Sequence, residues 1–264
     1  MSDILETIAA ANRLRVAEAK KAIPLEAVKE AAHSMDANTG FPFEQALKSD
    51  DIAFICECKK ASPSKGLIAP EFPYLSIAKD YENAGAAAIS VLTEPKWFQG
   101  SNEILKEIAA AVSIPCLRKD FTVDEYMIYE ARLLGASAVL LIVSLLDEKT
   151  LSSWIRLSDS LGLSCLVECH DAEEIRMALG CGARIIGVNN RNLRTFSVDV
   201  SHAGALRSLV PENVTFVAES GIRDAADVRA MTEAGADAVL VGETLMRAAD
   251  KKAKLSELRG GARA

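Results

Sequence analysis

NAGAAAISVLT (residues 83–93) sets one glycine between a polar helical stretch and a β-branched apolar run, and the chain repeats that pattern three more times. The further copies are LLGASAVLLIV (133–143), GCGARIIGVNN (180–190) and EAGADAVLVGE (233–243). Their glycines, Gly85, Gly135, Gly182 and Gly235, are separated by 50, 47 and 53 residues. Each follows an amphipathic stretch, so it reads as a helix C-terminal cap, and the run behind it reads as a buried strand. Between these copies lie four more apolar runs: ICECKK (55–60), IPCLRKD (114–120), SCLVECH (164–170) and TFVAESG (215–221). Helical periodicity fills the gaps, as in SNEILKEIAAAV (101–112), DEYMIYEARLL (124–134), EKTLSSWIRLSDSL (148–161) and DAADVRAMTEA (224–234). Eight strand–helix units of about 25 residues predict an α/β fold of the (β/α)8 or TIM barrel type. A doubly wound open sheet predicts one switch point in strand order and not a fourfold rhythm.

The second set of strands ends in charge. Side chains alternate across a strand, so Ile55, Glu57 and Lys59 share one face, as do Leu117 with Lys119, Leu166 with Glu168, and Val217 with Glu219. Cys56, Cys58, Cys116, Cys165 and Cys169 fall on the opposite, helix-facing side. Ions lose several kcal/mol on leaving water, and a mere cap of ion pairs would serve stability no better than apolar residues of similar size. Charges at matching strand ends are therefore expected at the carboxyl face of a barrel, where this fold carries its chemistry.

Loops at that face carry anion-binding features. SPSKG (62–66) offers hydroxyls in a turn; ESGIRDAAD (219–227) offers Gly221 and a helix-capping Asp224; VGETLMRA (241–248) opens a helix from Gly242. The loops after strands seven and eight are the usual phosphate site of such barrels.

Composition narrows the classes. A chain of 264 residues, half of them hydrophobic, fits one domain with a large core. No run approaches the roughly 20 apolar residues of a membrane span, and MSDILETIAAANRLR lacks the apolar block of a signal peptide, so a cytoplasmic protein is expected. A net charge of −7 argues against nucleic acid as a partner. The six cysteines show no zinc-ligand spacing and read as buried hydrophobes. No dinucleotide fingerprint, Walker loop or metal constellation occurs, so neither cofactor nor metal is expected.

In order along the chain, ECKKASPSKG, LTEPKWFQGS, LRKDF, LLIVSLL, LVECHD, GVNNRNL, VAESGI and LVGETLMRA resemble the successive strand-end motifs of the indole-3-glycerol-phosphate synthase family of tryptophan biosynthesis. The resemblance covers essentially the whole chain. It includes ILETIAAANRLRVAEAKKAIPLEAV (4–28), similar to that family's extra helix. It implies a single domain over 1–264, with residues 1–48 as a helical extension and 51–250 as the barrel. It further implies closure of the indole ring of 1-(2-carboxyphenylamino)-1-deoxyribulose 5-phosphate with loss of carbon dioxide and water.

The same resemblance implies roles. Lys119 matches the principal general acid, Glu168 the general base, and Lys59 a second lysine on the substrate carboxylate. Glu57 and Glu219 are orienting carboxylates, the first counted with the catalytic group and the second with substrate binding. Asn189, Arg191, Phe98 and Phe121 match substrate-binding positions, and Ser62, Ser220, Gly221 and Gly242 the phosphate cradle. Glu243 departs from relatives that carry Ser beside the phosphate. His33, His170 and His202 match no catalytic role, and His170 reads as structural or solvent-facing. A phosphorylated small molecule is the expected partner, and a monomer the expected state, with docking of another tryptophan-pathway enzyme left open. Two rivals predict other residues. A phosphoribosylanthranilate isomerase would place a Cys and Asp pair at strand ends, and a metabolite-binding barrel without catalysis would lack the strand-end charges.

Overall fold

The computed structural model of the protein describes residues 4–49, 51–192 and 196–260. Eight parallel strands close into a barrel: β1 Ala53–Cys58, β2 Ala88–Leu92, β3 Cys116–Lys119, β4 Ala138–Ile142, β5 Ser164–Cys169, β6 Ile185–Asn189, β7 Thr215–Glu219 and β8 Ala238–Val241. Each pairs in parallel with the next, and β1 pairs with both β2 and β8, which leaves no open edge. The expected (β/α)8 barrel is thus the observed fold.

The helices are α1 Ile4–Ala22, α2 Leu25–His33, α3 Pro42–Ala46, α4 Tyr74–Asn83, α5 Asn102–Ala111, α6 Tyr126–Leu133, α7 Glu148–Ser160, α8 Ala172–Gly180, α9 Ser201–Leu206, α10 Ala225–Glu233, α11 Glu243–Arg247 and α12 Lys251–Leu258. The four repeated glycines end α4, α6, α8 and α10 with φ between 82° and 89°. In each case two backbone N–H groups reach back to the last turn, as Gly85 does to the Glu82 carbonyl and Ala86 to the Tyr81 carbonyl, both about 3 Å. A side chain would strain this left-handed cap, which explains why one residue type recurs there.

Parity sorts the core as alternation requires. Ile55, Ala88, Leu117, Leu140, Leu166, Ile185, Val217 and Leu240 fill the barrel, while Cys56, Cys58, Cys116, Cys165 and Cys169 pack between barrel and helices. All six cysteines are free and buried, and burial raises their thiol pKa values, those of Cys56, Cys116 and Cys165 to about 12. Such thiols are inert packing groups.

Helix α1 crosses to the carboxyl face and is fastened there. Asn12 donates to Asp120 Oδ1 at 2.8 Å and to the Phe121 carbonyl at 2.9 Å. Arg15 binds Asp120 Oδ2 at 2.6 Å and the Thr93 carbonyl at 3.0 Å. Thr93 Oγ1 also donates to Asp120 Oδ2 at 2.6 Å. Burial opposes the Asp120 charge, but Arg15 and Arg118 outweigh it and hold the carboxyl below its usual range. The buried carboxylate directly after Lys119 therefore joins α1, β2 and β3. Arg118, on the helix-facing side of β3, is 1% exposed and satisfied by Glu130 at 2.6 Å and the Met127 carbonyl at 2.8 Å.

Candidate active site

Charged strand ends and the loops beyond them line one cavity of about 670 Å3. Glu57, Lys59, Lys119, Glu168, Asn189, Arg191 and Glu219 all face it, as do Ser62, Phe98, Phe121, Ser220, Gly221 and Gly242. Every residue singled out from the sequence as a site candidate is therefore brought to one place.

Lys119 is the centre of the charge set. Its Nζ lies 3.2 Å from Glu168 Oε2 and 3.5 Å from Glu219 Oε2. Burial by itself would lower the lysine's pKa, yet Glu168, Glu219 and Glu57 together raise it, so the ammonium is held protonated. The two carboxylates are unequal. Burial acts against the charge of Glu168, but Lys119, then His170 and a 3.1 Å hydrogen bond from Asn189 Nδ2, hold it below the usual carboxylate range. Burial first, and then the Glu168 charge, push Glu219 up to about 8 against the pull of Lys119. At neutral pH Lys119, Glu168 and Glu219 are thus an ammonium, a carboxylate and a carboxylic acid respectively.

Glycines make room for these side chains. A Cβ on Gly187 of β6 would stand 2.2 Å from Glu219 Oε1, and one on Gly242 would stand 2.4 Å from Glu57 Oε1 and 2.8 Å from Lys59 Nζ. Gly242 therefore admits the Glu57–Lys59 pair as well as opening α11. That pair is joined at 2.5 Å, and Ser90 Oγ donates to the other Glu57 oxygen at 3.4 Å.

Asn189 is engaged at both ends, donating to Glu168 and accepting the Arg191 backbone N–H at 3.0 Å. It fixes the Glu168 carboxylate. Arg191 spends one guanidinium N–H on the Phe196 carbonyl at 3.3 Å. On the opposite wall Phe98 and Phe121 meet with ring centroids 6.1 Å apart, beside Leu92, Leu140 and Ile142 and under Ile4, Leu5 and Ile8 of α1. One side of the cavity is thus apolar and aromatic, and the strand-end floor is charged.

The loops after β7 and β8 form the third side. Ser220 and Gly221 adopt φ of 68° and 87°, and the Ser220 carbonyl accepts from Asn190 Nδ2 at 3.1 Å. Asp224 caps α10 by accepting from the N–H groups of Ala226 and Asp227. Glu243 does not stand as a lone negative charge in this region. It pairs with Arg247 at 3.0 Å and Lys65 at 3.6 Å, and these cations outweigh burial to lower its pKa.

Sequence reasoning missed Gly187, Ser90 and the Asp120 network with α1, and did not link His170 to Glu168. Gly187 in a buried run carries the one signal available, since glycine inside a strand marks a close approach. His170 is not solvent-facing: its side chain is 22% exposed and its Nε2 lies 3.5 Å from Glu168 Oε1. Among the described residues, no group of three or more His, Cys, Asp or Glu could hold a metal ion, and no helix is long and apolar enough to cross a membrane.

Comparison with known proteins agrees in one direction. The sequence profile described as "Indole-3-glycerol phosphate synthase" matches residues 5–258. The indole-3-glycerol phosphate synthase of Ruminiclostridium cellulolyticum is 56% identical over 98% of this chain and 100% of its own length. That of Lachnoclostridium phytofermentans is 48% identical over 97% and 98%. Among solved structures, 3-hexulose-6-phosphate synthase from Salmonella typhimurium superposes with a TM-score of 0.65 over 79% of this chain and 97% of that one, at 15% identity. At that identity the likeness is one of fold.

Proposed function

The chain belongs to the indole-3-glycerol phosphate synthase family, and from that premise we propose that Lys119 and Glu168 are the acid and base of its reaction. It is a carboxy-lyase that closes the indole ring of 1-(2-carboxyphenylamino)-1-deoxyribulose 5-phosphate, releasing carbon dioxide and water. The chemistry asks for a proton donor at the ribulose carbonyl oxygen, so that the ring carbon bearing the carboxylate can attack. It then asks for loss of that carboxylate, an acid for the departing hydroxyl, and a base for a proton from the ring nitrogen side.

One observation carries the assignment: Lys119 Nζ sits between Glu168 Oε2 and Glu219 Oε2 at 3.2 and 3.5 Å, on the floor of a cavity with an aromatic wall. An ammonium held protonated is an acid aimed into the cavity. Glu168, ionised and held by Asn189, is ready to accept a proton, and it becomes a stronger base once Lys119 has given its own away. Lys59, joined to Glu57, is the proposed second lysine, binding the substrate carboxylate and donating in dehydration. Phe98 and Phe121 would pack on the anthranilate ring, with Asn189, Arg191 and Glu219 on its polar groups. Ser62, Ser220, Gly221 and Gly242 would cradle the phosphate, with Lys65 and Arg247 neutralising Glu243 beside it.

We propose in addition that the chain acts as a monomer in the cytoplasm, where its six buried thiols stay reduced. The test of activity is direct. Purified protein mixed with the carboxyphenylamino ribulose phosphate should produce indole fluorescence and one carbon dioxide per product; neither signal appearing would sink the reading.

A further inference from the structure

His170 has no part in the steps above, yet its ring is wedged between two carboxylates. It follows β5, with Nδ1 at 3.1 Å from Glu174 Oε2 of α8 and Nε2 at 3.5 Å from Glu168 Oε1. Its position is fixed from the backbone as well: its N–H donates to Glu174 Oε2 at 2.7 Å, and its carbonyl lies 2.8 Å from His202 Nε2 of α9. Nε2 is buried and has no hydrogen-bond partner.

That arrangement conflicts with a neutral ring. A neutral imidazole has one N–H, and the Glu174 carboxylate takes it at Nδ1. A lone pair on Nε2 would then face the acceptor oxygen of Glu168 inside the protein. A second proton removes the conflict, because Nε2 becomes a donor pointed at Glu168. Burial lowers the pKa of the ring, but Glu174, Glu168 and Glu219 outweigh it and raise the value above the ordinary one.

We propose that His170 is a positioning residue for ring closure: as an imidazolium clamped between Glu174 and Glu168, it fixes the Glu168 carboxylate and sets its basicity. The proposal rests on Glu168 being the base. The groups around the ring are Glu168 on β5, Glu174 on α8, Glu219 on β7 and His202 on α9, with Lys119 of β3 and the Asn189 amide of β6 on the Glu168 carboxylate. Glu168 then sits between two cations while the site waits, and stays ionised without capturing a solvent proton. When Lys119 transfers its proton to the substrate, one of those cations disappears and Glu168 gains basicity at the step that needs it. His170 keeps its charge throughout, so it sets the level from which that gain starts.

The decisive experiment is the pH profile of kcat/KM for the parent, His170→Gln, Glu174→Gln and the double variant. Its acid limb reports the base in the free enzyme. Removing a unit charge 3.5 Å from Glu168 shifts that limb to higher pH by roughly one unit at the dielectric of water and roughly three at an effective dielectric of 20. Glu174→Gln lowers the pKa of His170 and should move the limb the same way by less, with no further movement in the double variant. An acid limb that coincides with the parent's in His170→Gln overturns the proposal. NMR titration of the imidazole in the substrate-free parent covers the case in which the variants fail to fold. A midpoint above about 6.5 supports the clamp, and one at or below it overturns it. The two readings remain separable. Glu168→Gln that keeps its turnover refutes Glu168 as base, whereas the same variant must lower the His170 midpoint if the clamp exists.

Discussion

Replacing Lys119 by Met should produce a protein whose instability grows with pH. The substitution keeps an apolar stem and removes the one cation between Glu168 and Glu219, at 3.2 and 3.5 Å. At an effective dielectric of 20 the attraction of Lys119 to the ionised Glu168 is worth roughly 5 kcal/mol gross, and the net cost of breaking a buried pair is about 3–5 kcal/mol. The cost arrives in a particular way. Glu168 is held below its usual range by Lys119 first and His170 second, so loss of the Lys119 charge lets burial raise its pKa and it keeps a proton to higher pH, beside Glu219, which already titrates at about 8. Above about pH 4.3, where unfolded carboxyls have already ionised, the folded variant then carries one more carboxyl proton than the folded parent until Glu168 ionises. Its stability relative to the parent therefore falls by up to about 1.4 kcal/mol per pH unit across that window, toward the roughly 3–5 kcal/mol cost of the broken pair. Urea denaturation of both proteins at pH 5, 6.5 and 8, followed by circular dichroism, measures this gap. A gap that is independent of pH, or that closes as pH rises, refutes the electrostatic account of the site.

Three other outcomes follow from the same geometry. Gly187→Ala puts a methyl 2.2 Å from Glu219 Oε1; the flexible carboxylate gives way at a cost of about 1–3 kcal/mol, while misaligning Lys119 should lower kcat about a hundredfold. In the parent, Glu219 with its pKa of about 8 makes stability fall as pH rises from about 4.3 to that value, because the native state keeps a proton that the unfolded chain has lost. Glu219→Gln should flatten that segment of the stability profile, and an unchanged slope would assign the high pKa elsewhere. Asn12→Ala removes two hydrogen bonds to Asp120 and Phe121, and should cost about 1–3 kcal/mol in urea denaturation; a loss within a few tenths would mean that α1 is held by its apolar face alone.

Much of this architecture was legible because it is periodic. The spacing of Gly85, Gly135, Gly182 and Gly235 reports a repeated helix–cap–strand unit, and the left-handed φ at all four is its physical cause. Alternation within β1, β3, β5 and β7 separated Glu57, Lys119, Glu168 and Glu219 from the cysteines between them, since closing a parallel sheet leaves only an inside and an outside. What periodicity does not encode is contact between residues far apart in the chain. Asp120 meets Asn12 across 108 positions, and Gly187 is explained only by a Glu219 carboxylate 32 residues later. The contact of His170 with Glu168 was not legible for a related reason: the residue lies just beyond β5, where alternation no longer fixes direction, and its neighbour Glu174 belongs to the next helix. Glu243, which looked hostile to a phosphate, is neutralised by Lys65 from a loop nearly 180 residues earlier.

The central claim is that Lys119 supplies the proton that makes the ribulose carbonyl open to attack, with the rest of the cavity binding the substrate. A single-turnover reaction of Lys119→Ala, with carbon dioxide and indole fluorescence followed together and substrate binding titrated separately, tests it most directly. The account predicts that substrate still binds within about tenfold of the parent while the rate of ring closure falls by at least about a thousandfold, in the range set for loss of a general acid. Ring closure near the parent rate would contradict it, as would a loss that appears only in binding.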